Sequence, residues 1–302
     1  MAMTVDVRRL EVELAGRLGR KALKLEPVRV QCRWPVFRAV SPGCAAAFVK
    51  LTERAFSERT LALLSAAEDC PFFPRPLLAE DFDFDGLSVL CLEWKDAVCV
   101  NAEDMTEGQF ASFVDACKSM SDVLCRFGGA VRPVGEDAPE RQYGVLADYA
   151  ARHPLVGRLL RPILSIPESA RTYEGCDCVT IHGDFQPKNY GFVGERFAAV
   201  FDFDALTKGL ACEDAAYAFT ERARRAELSA AARRRLEELF SRLVAMSPWS
   251  KRDWRIAVSH ARLRIAARRL EKHPDSAFVA FDIARRDRPL QRLDAILEEN
   301  RD

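Results

Sequence analysis

The sequence predicts an α+β fold in two parts: a small N-terminal antiparallel sheet carrying one helix, and a larger, mainly helical C-terminal part. Three observations point there. Most strand-like runs fall in the first hundred of the 302 residues, helical periodicity dominates beyond them, and one strand–loop–hairpin stretch at 179–205 interrupts the helical half. A chain of this length with 49% apolar residues has material for two lobes. We place them at residues 1–94 and 95–302.

Taken in order, residues 28–32, 35–40 and 44–51 are short apolar runs. Between the last two lies Ser41-Pro42-Gly43, a turn in which Pro presets φ and Gly accepts a positive one. Residues 56–67 have helical spacing, with Leu61, Leu64 and Ala67 on one side. Two more strands are expected at 76–80 and 87–94, divided by the acidic stretch 80–86. Past Trp94, an amphipathic helix at 106–127 opens on a capping box, Thr106 with Gln109, and stops at Gly128-Gly129. Residues 131–139, rich in Pro, Gly and acids, read as a loop. Helices follow at 141–152 and 155–165, and at least three more between Glu213 and Glu299, while the interrupting hairpin turns at Gly194.

Composition narrows the partners. Lys plus Arg and Asp plus Glu stand at 45 each, so no overall charge advertises a nucleic acid or a membrane surface, and neither is expected as a partner. The balance is uneven, with 20 basic against 13 acidic residues from 221 onward. The first 25 residues mix charges through their apolar positions, unlike a signal peptide, and no run approaches the roughly 18 apolar residues of a membrane span. A cytoplasmic protein is expected. The ten cysteines are scattered among apolar residues without zinc-ligand spacing, which suits reduced thiols. Nothing in the sequence sets an oligomeric state.

The chemistry concentrates in residues 178–204. A strand delivers His182-Gly183-Asp184 to a loop, Asn189 follows five residues later, and a hairpin returns the chain so that Asp202 emerges from the apolar run 197–201. Two oxygen ligands on separate segments suit Mg2+, which takes one or two protein carboxylates plus substrate phosphates. A further carboxylate, Asp184, is then available to accept the proton of an attacking hydroxyl. In the first lobe, strand alternation puts Ala46, Phe48 and Lys50 on one face, and an ammonium on such a face needs a partner.

Together these residues resemble the aminoglycoside phosphotransferase and choline kinase superfamily, small-molecule relatives of the protein kinases. His182, Asp184 and Asn189 match its catalytic loop, Asp202-Phe203-Asp204 its metal-binding element, and Asp214 a later acid before an apolar helix. The resemblance implies a two-lobed protein-kinase-like fold with Asp184 as catalytic base, His182 supporting the loop, and Asn189 and Asp202 holding Mg2+ on ATP or GTP. It assigns Lys50 to the phosphates, with Glu58 as its partner and Glu53 as the alternative. It also places Phe48 over the base, a hinge at Leu92, Glu93 and Trp94, and Asp214 on the catalytic-loop backbone. Asp204 is left between a supporting acid and a substrate contact, and Lys188 reads as a solvated loop lysine. The chain departs from the family at 32–35, where Cys-Arg-Trp-Pro stands in place of a Gly-containing phosphate loop.

The activity implied is transfer of the terminal phosphoryl group to a hydroxyl of a small metabolite, a sugar or amino alcohol among them. The alternative is a nucleotide-binding pseudokinase serving as regulator or scaffold. A protein substrate is disfavoured, because little chain separates Asp202 from the helix at Glu213. Arg-rich C-terminal helices, at 222–225, 233–235 and 262–269, read mostly as solvated faces with Glu partners such as Glu237 and Glu238, yet lean towards a neutral or anionic acceptor over a polycationic aminoglycoside.

Overall fold

Helix α1 (Val7–Arg17) opens the chain: Leu10 and Leu14 recur one turn apart on its buried side, and the Asp6 carboxylate caps the first turn by accepting the Arg9 N–H. Burying each leucine contributes about 2 kcal/mol. The mixed charges around these two positions hid this helix in the sequence. The computed structural model describes residues 5–28, 34–128, 138–225, 227–274 and 278–299. The chain forms two compact units, Met1–Val98 with Ala198–Asp204, and Cys99–Phe197 with Ala205–Asp302.

The first unit holds a five-stranded antiparallel sheet in the order β1-β2-β3-β5-β4 and the helix α2 (Arg54–Ala66). Its strands are β1 (Lys24–Pro27), β2 (Val36–Val40), β3 (Ala47–Thr52), β4 (Phe82–Phe84) and β5 (Leu87–Glu93). The first strand lies earlier than the apolar run at 28–32, most of which falls outside the described residues. No strand forms at 76–80, where only Pro76 bridges to Leu92. Instead β4 arises inside the acidic divider, because Phe82 and Phe84 alternate inward around an exposed Asp83. Asp85 and Gly86 both take positive φ, 54° and 79°, which is what a two-residue hairpin turn between Phe84 and Leu87 demands.

Alternation sorts the sheet's two faces. Ala47, Val49 and Leu51 of β3 join Phe37, Ala39, Val89 and Cys91 in one apolar core with Leu10 and Leu14 of α1. Phe48 and Lys50 point the other way, and the register sets them beside Leu92 and Leu90 of β5.

The second unit is mainly helical, as expected. Its helices are α3 (Glu107–Arg126), α4 (Pro139–Arg152), the short α5 (Pro154–Gly157) and α6 (Arg161–Leu164), α7 (Glu213–Ala223), α8 (Ala230–Met246), α9 (Lys251–Lys272) and α10 (Val279–Glu299). Both halves of the Thr106–Gln109 capping box form. The loop expected at 131–139 falls almost wholly outside the described residues. Between α6 and α7 the chain makes β6 (Val179–Ile181), β7 (Tyr190–Val193), β8 (Arg196–Val200) and β9 (Thr207–Gly209), with β6 paired to β9 and β7 to β8. Gly194 turns the latter pair at φ 60°.

Helix α9 runs through the centre of this unit. Leu263, Ala266 and Leu270 pack with Leu146 and Tyr149 of α4 and Ile283 of α10. Residues 262–269, which read as a solvated basic face, are largely interior: Arg262 is 4% and Arg264 7% exposed. A buried guanidinium persists only where its donors are taken. Arg262 forks onto Asp287 at 2.7 and 3.0 Å and reaches Asp294 at 2.7 Å.

Candidate active site

Lys50 is 3% exposed, and its ammonium lies 2.7 Å from Asp202 Oδ1 and 2.6 Å from Asp204 Oδ2. Burial alone lowers its pKa, but the two carboxylates outweigh this and hold it above the ordinary lysine range. Burial, reinforced by the Asp202 charge, raises the Asp204 carboxyl despite Lys50. The segment that brings both acids to the lysine packs on the same unit, through the Val200 N–H to the Phe72 carbonyl and an edge contact of Phe203 on Phe73. Asp202 itself has a φ of 61°, a left-handed conformation that Asp tolerates better than most residues but that costs about 1 kcal/mol.

The lysine's expected partner is elsewhere. Glu58 lies at the surface, 62% exposed and beside Arg54, because the spacing of α2 commits Ser57, Thr60, Leu61 and Leu64 to the interior and turns Glu58 outward. Phe48, Leu90 and Leu92 form an apolar surface on the same sheet face as Lys50. At the expected hinge, the Glu93 N–H is engaged by the Arg75 carbonyl at 2.8 Å and the Trp94 N–H by Ala46 at 3.4 Å. The Glu93 carboxylate is held low by Arg75 and Lys95 against the opposing effect of its burial, and the Trp94 indole bonds Asp96. Cys32 and Arg33 lie outside the described residues, whereas Trp34 packs at the edge of the sheet core.

In the second unit, strand β6 delivers a tightly held loop. Phe185 is buried among Phe113, Tyr190 and Phe197, with ring centroids 5.0 to 6.4 Å apart, and this anchor leaves the neighbouring Asp184 only partly covered. Asn189 donates to the Asp184 carbonyl at 2.8 Å and to its carboxylate at 3.0 Å. The Gln186 amide lies 2.9 and 2.8 Å from the two Asp184 oxygens, a contact that escaped notice in the sequence; its signal is a polar side chain two residues after the acid. His182 is fully buried, and its Nδ1 receives the Asp184 N–H at 3.3 Å. Lys188 is exposed.

The backbone just ahead of Asp184 is bonded from two helices. Asp214, at the start of α7, accepts the N–H groups of His182 and Gly183 at 2.7 and 2.9 Å, the backbone role expected of it. Arg264 of α9 donates to the Gly183 carbonyl at 2.9 Å while stacking 3.8 Å from the Tyr217 ring centre. Gly183 has a φ of 77°, and a Cβ there would come within 2.2 Å of the Ala205 carbonyl oxygen, so only glycine fits. Beside this, Glu213, His260 and Tyr173 form a buried polar triangle with edges of 2.6 to 2.8 Å. Burial would raise Glu213, but His260 and the Leu210 amide hold it low.

Most of the Arg-rich helix positions are spent on structure. Arg222 pairs with Glu103, Arg224 and Arg225 with Glu221, Arg235 and Arg242 with Glu107, and Arg269 with Asp282. Charges spent on such ion pairs say little about the acceptor.

A buried lysine matched by paired acids in a sheet unit, followed in a helical unit by a loop-borne carboxylate and amide, accords with a protein-kinase-like fold. The sequence agrees: the chain belongs to the phosphotransferase enzyme family, which it matches over residues 35–254. Among solved structures it is similar to an AMP-bound spectinomycin phosphotransferase, with 10% identity, coverage of 99% of this chain and 100% of that one, and a TM-score of 0.62. An amicoumacin kinase in complex with AMP-PNP, Ca2+ and Ami shares 9% identity over 98% and 94% of the two chains, with a TM-score of 0.61. A macrolide 2′-phosphotransferase from Brachybacterium faecium shares 14% over 93% and 98%, with a TM-score of 0.55. No curated protein matches the sequence. At such identities these likenesses establish the fold.

Proposed function

We propose that the protein transfers the terminal phosphoryl group of ATP or GTP to a hydroxyl of a small molecule, a sugar or amino alcohol among them. The observation that carries this is Lys50, an ammonium buried on a strand face and matched by two carboxylates that arrive from 150 residues further along the chain. A buried ammonium shared by two part-exposed carboxylates is a candidate site for a charged ligand. Lys50 takes the phosphate charge. Phe48, Leu90 and Leu92 supply an apolar surface for the base, with the chain at Glu93 and Trp94 following it.

The donors present fit a divalent cation. Both bonds that Asn189 makes to Asp184 use its amide nitrogen, so its carbonyl oxygen, the atom a hard cation prefers, stands outside them; Asp202 offers a carboxylate oxygen. Asn189 and Asp202 are the residues that would hold Mg2+, which would neutralise charge on the transferring phosphates. Asp184 accepts the proton of the acceptor hydroxyl. Asn189 and Gln186 orient the Asp184 carboxylate, and His182 and Asp214 fix its backbone, so catalysis is positioning and charge compensation.

The test is turnover of ATP and GTP with Mg2+ across sugars, amino alcohols and aminoglycosides, with Asp184→Asn beside the wild type. The variant is expected to lose 10²- to 10⁴-fold in acceptor-dependent kcat, the span of a general base, while keeping nucleotide binding. Equal turnover in both proteins would remove Asp184 as base. Nucleotide binding with no turnover in either would favour a non-catalytic regulator.

A further inference from the structure

Helix α9 contributes a residue that the family pattern at 182–204 does not contain. Three backbone polar groups of His182 and Gly183 are bonded from helices, the His182 and Gly183 N–H groups by Asp214 of α7 and the Gly183 carbonyl by Arg264 of α9, while the Asp184 N–H goes to His182 Nδ1. A carboxylate thus holds the two N–H groups ahead of the Gly183–Asp184 peptide and a guanidinium holds its carbonyl, both buried, at 4% and 7% exposure. The Gly183 carbonyl belongs to the peptide whose nitrogen is that of Asp184, so rotating that peptide swings the Asp184 carboxylate. That rotation turns on ψ of Gly183, which a residue without a Cβ restrains less than any other would.

Arg264 is itself fixed. Its guanidinium lies over Tyr217, one turn of α7 beyond Asp214, so the ring and the acid brace the loop from the same helix. One turn earlier on α9, His260 bonds Glu213, the residue beside Asp214. Burying a guanidinium is costly, and the Gly183 carbonyl is among the groups that meet it here.

We propose that Arg264 is a positioning residue for the Asp184 base: it sets the orientation of the Gly183–Asp184 peptide and thereby the direction of the carboxylate. This rests on reading Asp184 as the base, and the experiment separates the two. Arg264→Met keeps the side-chain bulk and removes the donor, while Arg264→Lys restores a charge with shorter reach. Arg264→Met is expected to lower kcat at least tenfold with KM for ATP unchanged within twofold. Hydrogen exchange of the amides at 182–186 should rise with it, and Arg264→Lys should recover part of both. If Arg264→Met does not fold, Tyr217→Leu takes its place, because losing the ring frees the guanidinium from the carbonyl; the same directions are expected. A folded variant with wild-type exchange at 182–186 overturns the proposal. So does wild-type kcat in a protein whose turnover Asp184→Asn abolishes. Turnover that is indifferent to Asp184→Asn would instead strike the base assignment, and the exchange measurement would still decide whether Arg264 pins the loop.

Discussion

Lys50 is where the chemistry of single residues is most exposed to test. Its raised pKa means that the interaction with Asp202 and Asp204 stabilises the fold fully below the ordinary lysine pKa and is lost as pH climbs through the folded value, above 10.5. Lys50→Met keeps the stem packing but leaves two carboxylates facing each other. We expect it to cost about 2 kcal/mol at pH 7, less than the 3–5 of a fully buried pair because the two acids keep some solvent contact, at 31% and 26% exposure. The deficit should shrink as pH falls towards about 4 and the carboxyls protonate, and again above about 10.5 as the wild-type ammonium deprotonates. Urea unfolding of both proteins from pH 4 to 11 checks this; a deficit flat across that range would mean that packing, and not charge, set the cost.

Among the elements, α9 carries the heaviest burden, being buried on nearly every side while bearing His260, Arg262 and Arg264. Each is matched by a group from another element, which fixes the rotation of α9 about its axis as firmly as its apolar stripe does. Arg262→Ala should therefore cost about 3–5 kcal/mol, since Asp287 would be left buried without its counter-charge, keeping only the Gln291 amide. Arg262→Met with Asp287→Leu should return most of that, because the pair is removed together. Denaturant melts of the single and double variants are the measurement. Equal losses in both would assign the cost to packing volume. The same reasoning explains why α9 read as a solvated face: a helix with arginines at 262, 264, 268 and 269 differs from a surface helix only in where Asp287, Asp294 and the Gly183 carbonyl lie, and none of these is near it in sequence.

For the whole molecule, a nucleotide held through a divalent cation makes stability depend on both. ATP with Mg2+ at a hundredfold excess over Kd should stabilise the fold by about 2.7 kcal/mol, whereas ATP with a chelator should give a clearly smaller rise in Tm. Equal rises would count against Asn189 and Asp202 as ligands. Among the described residues no helix is long and apolar enough to cross a membrane.

What the sequence by itself determined was the local chemistry and the order of elements. The face of β3 that bears Lys50, the capping of α3, the turn at Gly194, and the spacing of His182, Asp184 and Asn189 all depend on neighbours within a few residues, where strand and helix periods are reliable. The α+β division followed from the same patterns. Only the tertiary structure decided which distant groups meet. Lys50 takes Asp202 and Asp204, not Glu58, because the turn of α2 points Glu58 outward while the chain after β8 packs against Phe72 and Phe73. Arg264 reaches the Gly183 carbonyl across 81 residues. Partner choice of this kind turns on burial, since a desolvated charge accepts whichever counter-group the packing delivers, and periodicity shows which side of an element is inward but not what waits there.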